Sequence, residues 1–198
     1  MYSFDSALFT YINSFAGESH TRDIIAICVA DYLPLLFIAF EIYLYFYKGE
    51  RKTALSAFYA AMAGIVMNQL ISIVYYRPRP FVQGLGENLV RHSADSSFPS
   101  DHTVFMAAIA FALILTKERR VSGYLFLVLS LIGGVARVYV GVHFPLDIAG
   151  GVTVGLISAL LVSKYRKTLG KVDDKLNILV DSVIYAKVFF KKNRDDIE

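Results

Sequence analysis

Hydrophobic residues in this chain fall into long blocks separated by polar junctions. The period-2 alternation of a half-buried strand is not the pattern seen. The blocks at 24–46, 54–74, about 100–116, 122–140 and 147–163 predict helices that cross a membrane, the third and fifth near the lower limit of roughly 17 residues. The segment 75–99 is too charged to sit in hydrocarbon and reads as an extramembrane loop. Before the first block, within residues 1–20, Phe4, Leu8, Ile12 and Phe15 recur at helical spacing with Asp5, Ser6 and Asn13 between them, which predicts an interfacial helix. After the last, over 171–192, Val172, Leu176, Leu179, Val183, Ala186 and Phe190 form one stripe, and a second interfacial amphipathic helix is expected. A sixth span is the rival reading there. It would place Asp181 and Lys187 in the bilayer at roughly 2.5–3.5 kcal/mol each. The fold class expected is all-α, a polytopic membrane helical bundle of about five spans (six in the rival reading), forming a single domain over 1–198 with its spanning core at 24–163.

Composition agrees with the pattern. Hydrophobic residues make up 56% of the chain, and the mean hydropathy is +0.50, above the range of most soluble domains. The net charge of +3 comes without a dense basic run, so a nucleic-acid partner is not expected. A single cysteine, Cys28, allows no intrachain disulfide.

Charge also orients the bundle. Lys48, Arg51 and Lys52 follow the first span, Lys117, Arg119 and Arg120 the third, and Lys164, Arg166, Lys167 and Lys171 the fifth. These junctions share one side, which the positive-inside tendency makes cytoplasmic. The opposite ends of the spans then face outward, and they carry the residues with chemistry: Arg79-Pro80, Pro99-Ser100-Asp101-His102, and Arg137 with His143 and Asp147. Within the spans, Asn68 and Gln69 are expected to hydrogen-bond between helices, Asp31 to have a partner, and Glu41 to reach the cytoplasmic interface on its stem. Glycines at 133, 134, 151 and 155 are expected to permit close helix packing.

Pro99-Ser100-Asp101-His102 has the grammar of a helix start, where unpaired N–H groups and the helix dipole make an anion site. His102 in the first turn is placed to donate a proton to a departing oxygen. Arg137, about a turn inside the fourth span, needs an anion, and its planar fork suits phosphate oxygens. Pro145 at a first helical position puts His143 just outside a helix and Asp147 in its first turn, so that Asp147 can accept the imidazole Nδ1–H and leave the other nitrogen nucleophilic. Each cluster taken alone also fits a plain capping or interfacial role.

Taken together, the clusters resemble the type-2 phosphatidic-acid phosphatase superfamily. Its pattern is a lysine, six residues and Arg-Pro, then Pro-Ser-Gly-His, then Ser-Arg, five residues, His, three residues and Asp. The strings Arg79-Pro80-Phe81, Ser97-Phe98-Pro99-Ser100-Asp101-His102 and Gly141-Val142-His143-Phe144-Pro145-Leu146-Asp147 are similar to its bacterial undecaprenyl-diphosphate phosphatase branch. Three positions depart from the pattern: Ser72 stands for the lysine, Asp101 for the glycine and Ala136 for the serine. The resemblance implies hydrolysis of a polyprenyl diphosphate at the outer face of the cytoplasmic membrane, without metal or other cofactor. It implies His143 as nucleophile, His102 as acid and Asp147 as its orienting carboxylate, with Arg79, Ser100, Asp101 and Arg137 holding phosphate. Arg77, Arg91 and His92 are candidates for a second phosphate. A phospholipid phosphatase is the alternative in the same class, and an anion-binding transporter or scaffold the alternative in another.

Overall fold

The computed structural model describes residues 2–195, with side chains from 4 to 184. Among the described residues seven α-helices follow one another: α1 Tyr2–Asn13, α2 His20–Phe46, α3 Arg51–Val74, α4 Asp101–Leu115, α5 Arg120–Tyr139, α6 Pro145–Lys164 and α7 Arg166–Asp195. Short 3-10 turns lie at Phe81–Gln83 and Lys117–Arg119. The all-helical membrane class is therefore what the hydrophobic blocks imply.

Among the described residues four helices are long and apolar enough to cross a membrane: α2 with 27 residues, α3 with 24, Lys117–Tyr139 with 23 and α6 with 20. The third block gives a helix of only 15 residues, α4, which at 1.5 Å per residue reaches about 22 Å, short of a roughly 30 Å hydrocarbon core. It is nevertheless the central helix. Val104, Met106, Ala107, Ala108, Ile109, Ala110 and Leu113 are all buried, and α4 packs on both α3 and α5. A helix enclosed by its neighbours need not match the bilayer by itself.

Small residues let these helices meet. A Cβ at Gly155 on α6 would come within 2.8 Å of the Ala107 Cβ on α4, and one at Gly151 within 2.8 Å of the Thr103 Cβ. Asn68 donates to the Pro99 carbonyl (3.2 Å) and to Asp101, and Gln69 also reaches Asp101 (3.5 Å), so both side chains tie α3 to the start of α4 as expected.

Glu41 differs from expectation. Both of its carboxyl oxygens are buried without a hydrogen-bond partner, and the residue lines an apolar cavity of about 370 Å³ with Ile38, Phe58, Met62, Phe105 and Ile109. Since α2 continues to Phe46, five residues or about 7.5 Å further, the stem turns inward between helices before it can reach the interface.

The chain groups into two units, Met1–Ser163 and Lys164–Glu198. The second contains α7, a single helix of 30 residues with an Arg166–Asp173 ion pair along it. Ala186, Phe190 and Lys187 of the expected amphipathic pattern lie outside the described side chains.

Candidate active site

The two ends that matter are built by local capping. At the start of α4 the peptide bond Phe98–Pro99 is cis, and Ser100 is the N-cap, its oxygen accepting from the Thr103 N–H and from the Thr103 hydroxyl (3.2 Å). The first intrahelical bond, Val104 N–H to Ser100 C=O, is 2.9 Å, so the amides of Asp101 and His102 precede the helical ladder and point outward. The Ser100 oxygen is used as an acceptor, which leaves its proton available to a ligand.

At the start of α6, Pro145 opens the helix and Asp147 Oδ2 reaches back to the Phe144 N–H at 2.7 Å, the reciprocal half of a capping box. Phe144 has no polar side chain to complete that cap. Asp5 of α1 completes it, its Oδ1 accepting the Leu146 N–H at 2.9 Å. Just before, Gly141 turns the chain at φ +87°, and a Cβ there would collide with the Glu87 carbonyl.

These two helix starts touch through the Ser100 N–H and the Asp147 carbonyl (3.1 Å), and His143 lies between them, 1% exposed. Its Nδ1 is 2.9 Å from the Ser97 carbonyl and 3.4 Å from Asp147 Oδ2. The shorter contact goes to the backbone. A proton on Nδ1 serves the Ser97 carbonyl first, while the Ser97 hydroxyl donates to Asp147 Oδ2, so Asp147 acts on the histidine partly through Ser97. The other ring nitrogen, Nε2, receives Arg79 Nη1 at 3.2 Å and therefore presents its lone pair. Burial pushes the His143 imidazolium down to about 4. The Asp147 hydrogen bond opposes this, and the positive charges of Arg79 and Arg137 reinforce it. The ring is neutral at neutral pH.

Arg79 is 2% exposed and fixed by the Val142 carbonyl (2.9 Å), the Ser96 carbonyl (3.3 Å) and the Asp95 carboxylate (2.8 and 2.7 Å). Arg137, also 2% exposed, gives Nη1 to Asp31 Oδ1 at 2.9 Å. Its Nε and Nη2 are buried without a partner. Asp31 thus has the partner its place in a span calls for.

Residues 53–171 match the PAP2 superfamily. The chain belongs to that superfamily. Among its relatives, Undecaprenyl-diphosphatase BcrC of Bacillus subtilis (strain 168) is 31% identical over 179 residues, 89% of this chain and 92% of that protein. Putative undecaprenyl-diphosphatase YbjG of Escherichia coli (strain K12) is 34% identical over 170 residues, 83% of each chain. The crystal structure of Aquifex aeolicus LpxE superposes with a TM-score of 0.68 at 26% identity, covering 80% of this chain and 94% of that one.

In this PAP2 protein, Arg79, Ser100, Arg137, His143 and Asp147 meet at one end of the bundle, with His102 in the first turn of α4. The Asp101 carboxylate is held by Asn68 and Gln69 of α3, while its backbone N–H precedes the helical ladder at the start of α4. Of the second-phosphate candidates, only His92 is brought against His143, their ring centroids 6.4 Å apart. Burial and the Arg79 charge hold His92 below its ordinary value. Arg91 is exposed on the loop.

Arg77 stands elsewhere than the sequence suggested. It is 5% exposed, with Nη1 on Asp147 Oδ1 at 2.6 Å and Nη2 on Asp5, so both ends of its fork are taken by carboxylates. Ser72, at the position of the family lysine, lies 3.4 Å from the Phe98 carbonyl and supplies no charge. Ser97 and Asp5 carry no candidate role in the sequence pattern. The serine opens the Ser97-Phe98-Pro99-Ser100-Asp101-His102 string, and Asp5 stands in the sequence only as a polar position of the first helix.

Asp95 offers a test of Arg79. Partial burial raises the pKa of this carboxyl, but the Ser93 hydroxyl and Arg79 outweigh this and hold it below the usual carboxylate range. A phosphate held by Arg79 would compete with it. Asp95→Asn is expected to lower KM about threefold, roughly the 0.7 kcal/mol of one partly exposed ion pair, with kcat little changed because two backbone carbonyls still hold Arg79. Michaelis curves for the two proteins check this.

Proposed function

We propose that this membrane phosphatase hydrolyses a polyprenyl diphosphate, undecaprenyl diphosphate in a bacterial cell, to the lipid monophosphate and inorganic phosphate at the outer leaflet. The observation that carries the reading is a buried His143 whose Nε2 faces Arg79 at 3.2 Å, in surroundings that hold its imidazolium below the ordinary value. Nε2 attacks the terminal phosphorus, and the bond from that phosphorus to the bridging oxygen breaks. His102, protonated beside the bound anionic substrate, supplies the proton to the departing lipid phosphate. Water then attacks the phosphohistidine, His102 takes the proton from that water, and phosphate leaves with His143 restored. Arg79, the unpaired Nε and Nη2 of Arg137, the Ser100 hydroxyl and the amides at the start of α4 stabilise the equatorial oxygens, where charge accumulates. These donors do the work a metal would do, and the proposed route uses none. The named activities of the BcrC and YbjG relatives support the substrate class.

A lipid tail also has a place to lie. A cavity of about 260 Å³ beside His102 is lined by Pro34, Ile38, Ile65 and Phe105, and Ile38 and Phe105 also line the cavity at Glu41. The two adjoin between α2, α3 and α4 as an apolar trough leading away from the site. The outer-leaflet assignment rests on charge, because the basic junctions lie at the opposite ends of the helices.

One observation favours the alternative, a phospholipid phosphatase acting on phosphatidic acid or phosphatidylglycerol phosphate: Arg77 is engaged by two carboxylates, leaving donors enough for one phosphate. Phosphate release from a polyprenyl diphosphate, a phosphatidic acid and a soluble diphosphate, measured in parallel with and without chelator, decides between them. The expected result is at least tenfold higher kcat/KM on the polyprenyl diphosphate, about 1.4 kcal/mol, unchanged by chelator. Equal or better turnover of phosphatidic acid selects the alternative, and loss of activity with chelator rejects the metal-independent route.

A further inference from the structure

The helix α1 lies outside the region that matches the superfamily, yet it reaches the catalytic aspartate through one arginine. Asp5, 1% exposed, pairs with Arg77, and Arg77 pairs with Asp147, itself fully buried. The guanidinium lies over the Phe144 ring at 4.2 Å from its centroid, and the Phe144 ring packs on Phe9 of α1 at 5.3 Å. Asn13 adds hydrogen bonds from α1 to the carbonyls of Glu87 (2.8 Å) and Tyr139 (2.7 Å). Asp147 therefore divides its oxygens. Oδ1 faces Arg77, while Oδ2 faces Ser97, the Phe144 N–H and His143.

We propose that Asp5 and Arg77 are positioning residues of the active site, Arg77 offsetting the charge of Asp147 and Asp5 offsetting that of Arg77, so that the pair sets the proton affinity of His143. This rests on the reading of His143 as the nucleophile. The sign follows from electrostatics in a buried, weakly screened site. Removing the Arg77 charge leaves Asp147 uncompensated, which attracts a proton to His143. Removing the Asp5 charge leaves Arg77 in excess, which repels it. The other charged and titratable groups toward His143 are Arg79, His92 and Asp95 from the α3–α4 loop, Asp101 and His102 from α4, Arg137 from α5, and Asp31 of α2 behind Arg137. None of them is altered by either change. Asp5 has a second task, since it caps α6 at the Leu146 N–H. An asparagine keeps an oxygen for that bond while removing the charge.

The test is the acid limb of kcat/KM against pH for the full chain in detergent, on one substrate throughout, so that its own ionisation is common to every profile. Arg77→Gln is expected to move the limb to higher pH by about 0.5–1 unit, and Asp5→Asn to lower pH by a similar amount. Arg77→Lys should restore the wild-type limb, and the double variant Asp5→Asn/Arg77→Gln, again neutral as a pair, should lie near it. Limbs that stay in place while turnover falls, or that move in the same direction, overturn the proposal, because a purely structural role predicts no opposition of sign. Should Arg77→Gln fail to fold, the Asp5→Asn limb decides alone: a downward move supports the proposal, and no move or an upward one overturns it. His143→Ala is run alongside. If it keeps the wild-type rate, the nucleophile assignment has failed, an outcome distinct from unmoved limbs in an enzyme that His143→Ala inactivates.

Discussion

Replacing His143 by asparagine is expected to abolish phosphate release, lowering kcat on the order of 10⁴-fold or more, as losses of catalytic nucleophiles do. Asparagine is the informative choice because its side-chain N–H₂ can take over the bond that Nδ1 makes to the Ser97 carbonyl at 2.9 Å. The fold and the charge balance around Asp147 should then survive, and the missing element is the Nε2 lone pair that faces Arg79 at 3.2 Å. Two measurements separate the chemistry from binding. Rapid quenching with a substrate labelled on the terminal phosphate should trap acid-labile label on the wild-type protein and none on the variant. Inorganic phosphate should still raise the thermal midpoint of the variant, since Arg79, Arg137 and the α4 amides remain. A variant that keeps more than about one per cent of the wild-type rate, still about 2.7 kcal/mol of barrier change, would remove His143 from the nucleophile role. His102→Gln should cost less on a diphosphate than on a phosphate monoester, because the lipid phosphate leaving group is less basic and needs its proton less.

The spanning core is legible because bilayer thickness imposes a length and a composition on each lipid-facing helix. The blocks at 24–46 and 54–74 agree closely with α2 and α3. The third block is the informative one. Hydropathy reads α4 like the others, yet its 15 residues are shielded by protein on most sides, and no single-helix rule distinguishes enclosure from lipid exposure. The convergence of Arg79, Ser100, Arg137, His143 and Asp147 was equally legible, since successive antiparallel helices bring alternate junctions to one end. Ion pairing was not. Arg77 and Arg79 are two residues apart in the same string, and what separates them is that Asp5 and Asp147 come to one while Asp95 and His143 come to the other. Those partners lie 72, 70, 16 and 64 positions away, and local pattern carries no information about pairings at such separations. Glu41 shows the same limit from the other side. Its stem is long enough to reach an interface, but which way a stem turns is decided by neighbouring helices.

Arg137→Met is expected to lower kcat/KM by about 10²–10³, comparable to the loss of one preorganised anion donor, without destabilising the protein. The two effects have one cause. Arg137 holds a positive charge at 2% exposure with Nε and Nη2 unpaired, and each unsatisfied buried donor costs about 1–3 kcal/mol. Its partner, Asp31, keeps 38% of its side chain exposed, so the carboxylate is not enclosed by packed protein when the arginine is gone. A methionine of similar length fills the space and removes the two orphaned donors, and the cost of about 3–5 kcal/mol for stranding one partner of a fully buried pair is avoided because Asp31 is not enclosed. The thermal midpoint in detergent should therefore hold or rise in the variant. Phosphate reverses the ranking. At a hundredfold excess over Kd it should stabilise the wild type by about 2.7 kcal/mol, because it satisfies the two orphaned N–H groups, and it should do little for Arg137→Met. If phosphate raised both midpoints equally, those donors would not be part of the anion site. If the variant unfolded earlier than wild type in the absence of phosphate, Arg137 would be holding the bundle together through Asp31, and the cost of the unpaired donors would not be the reason that this buried charge awaits an anion.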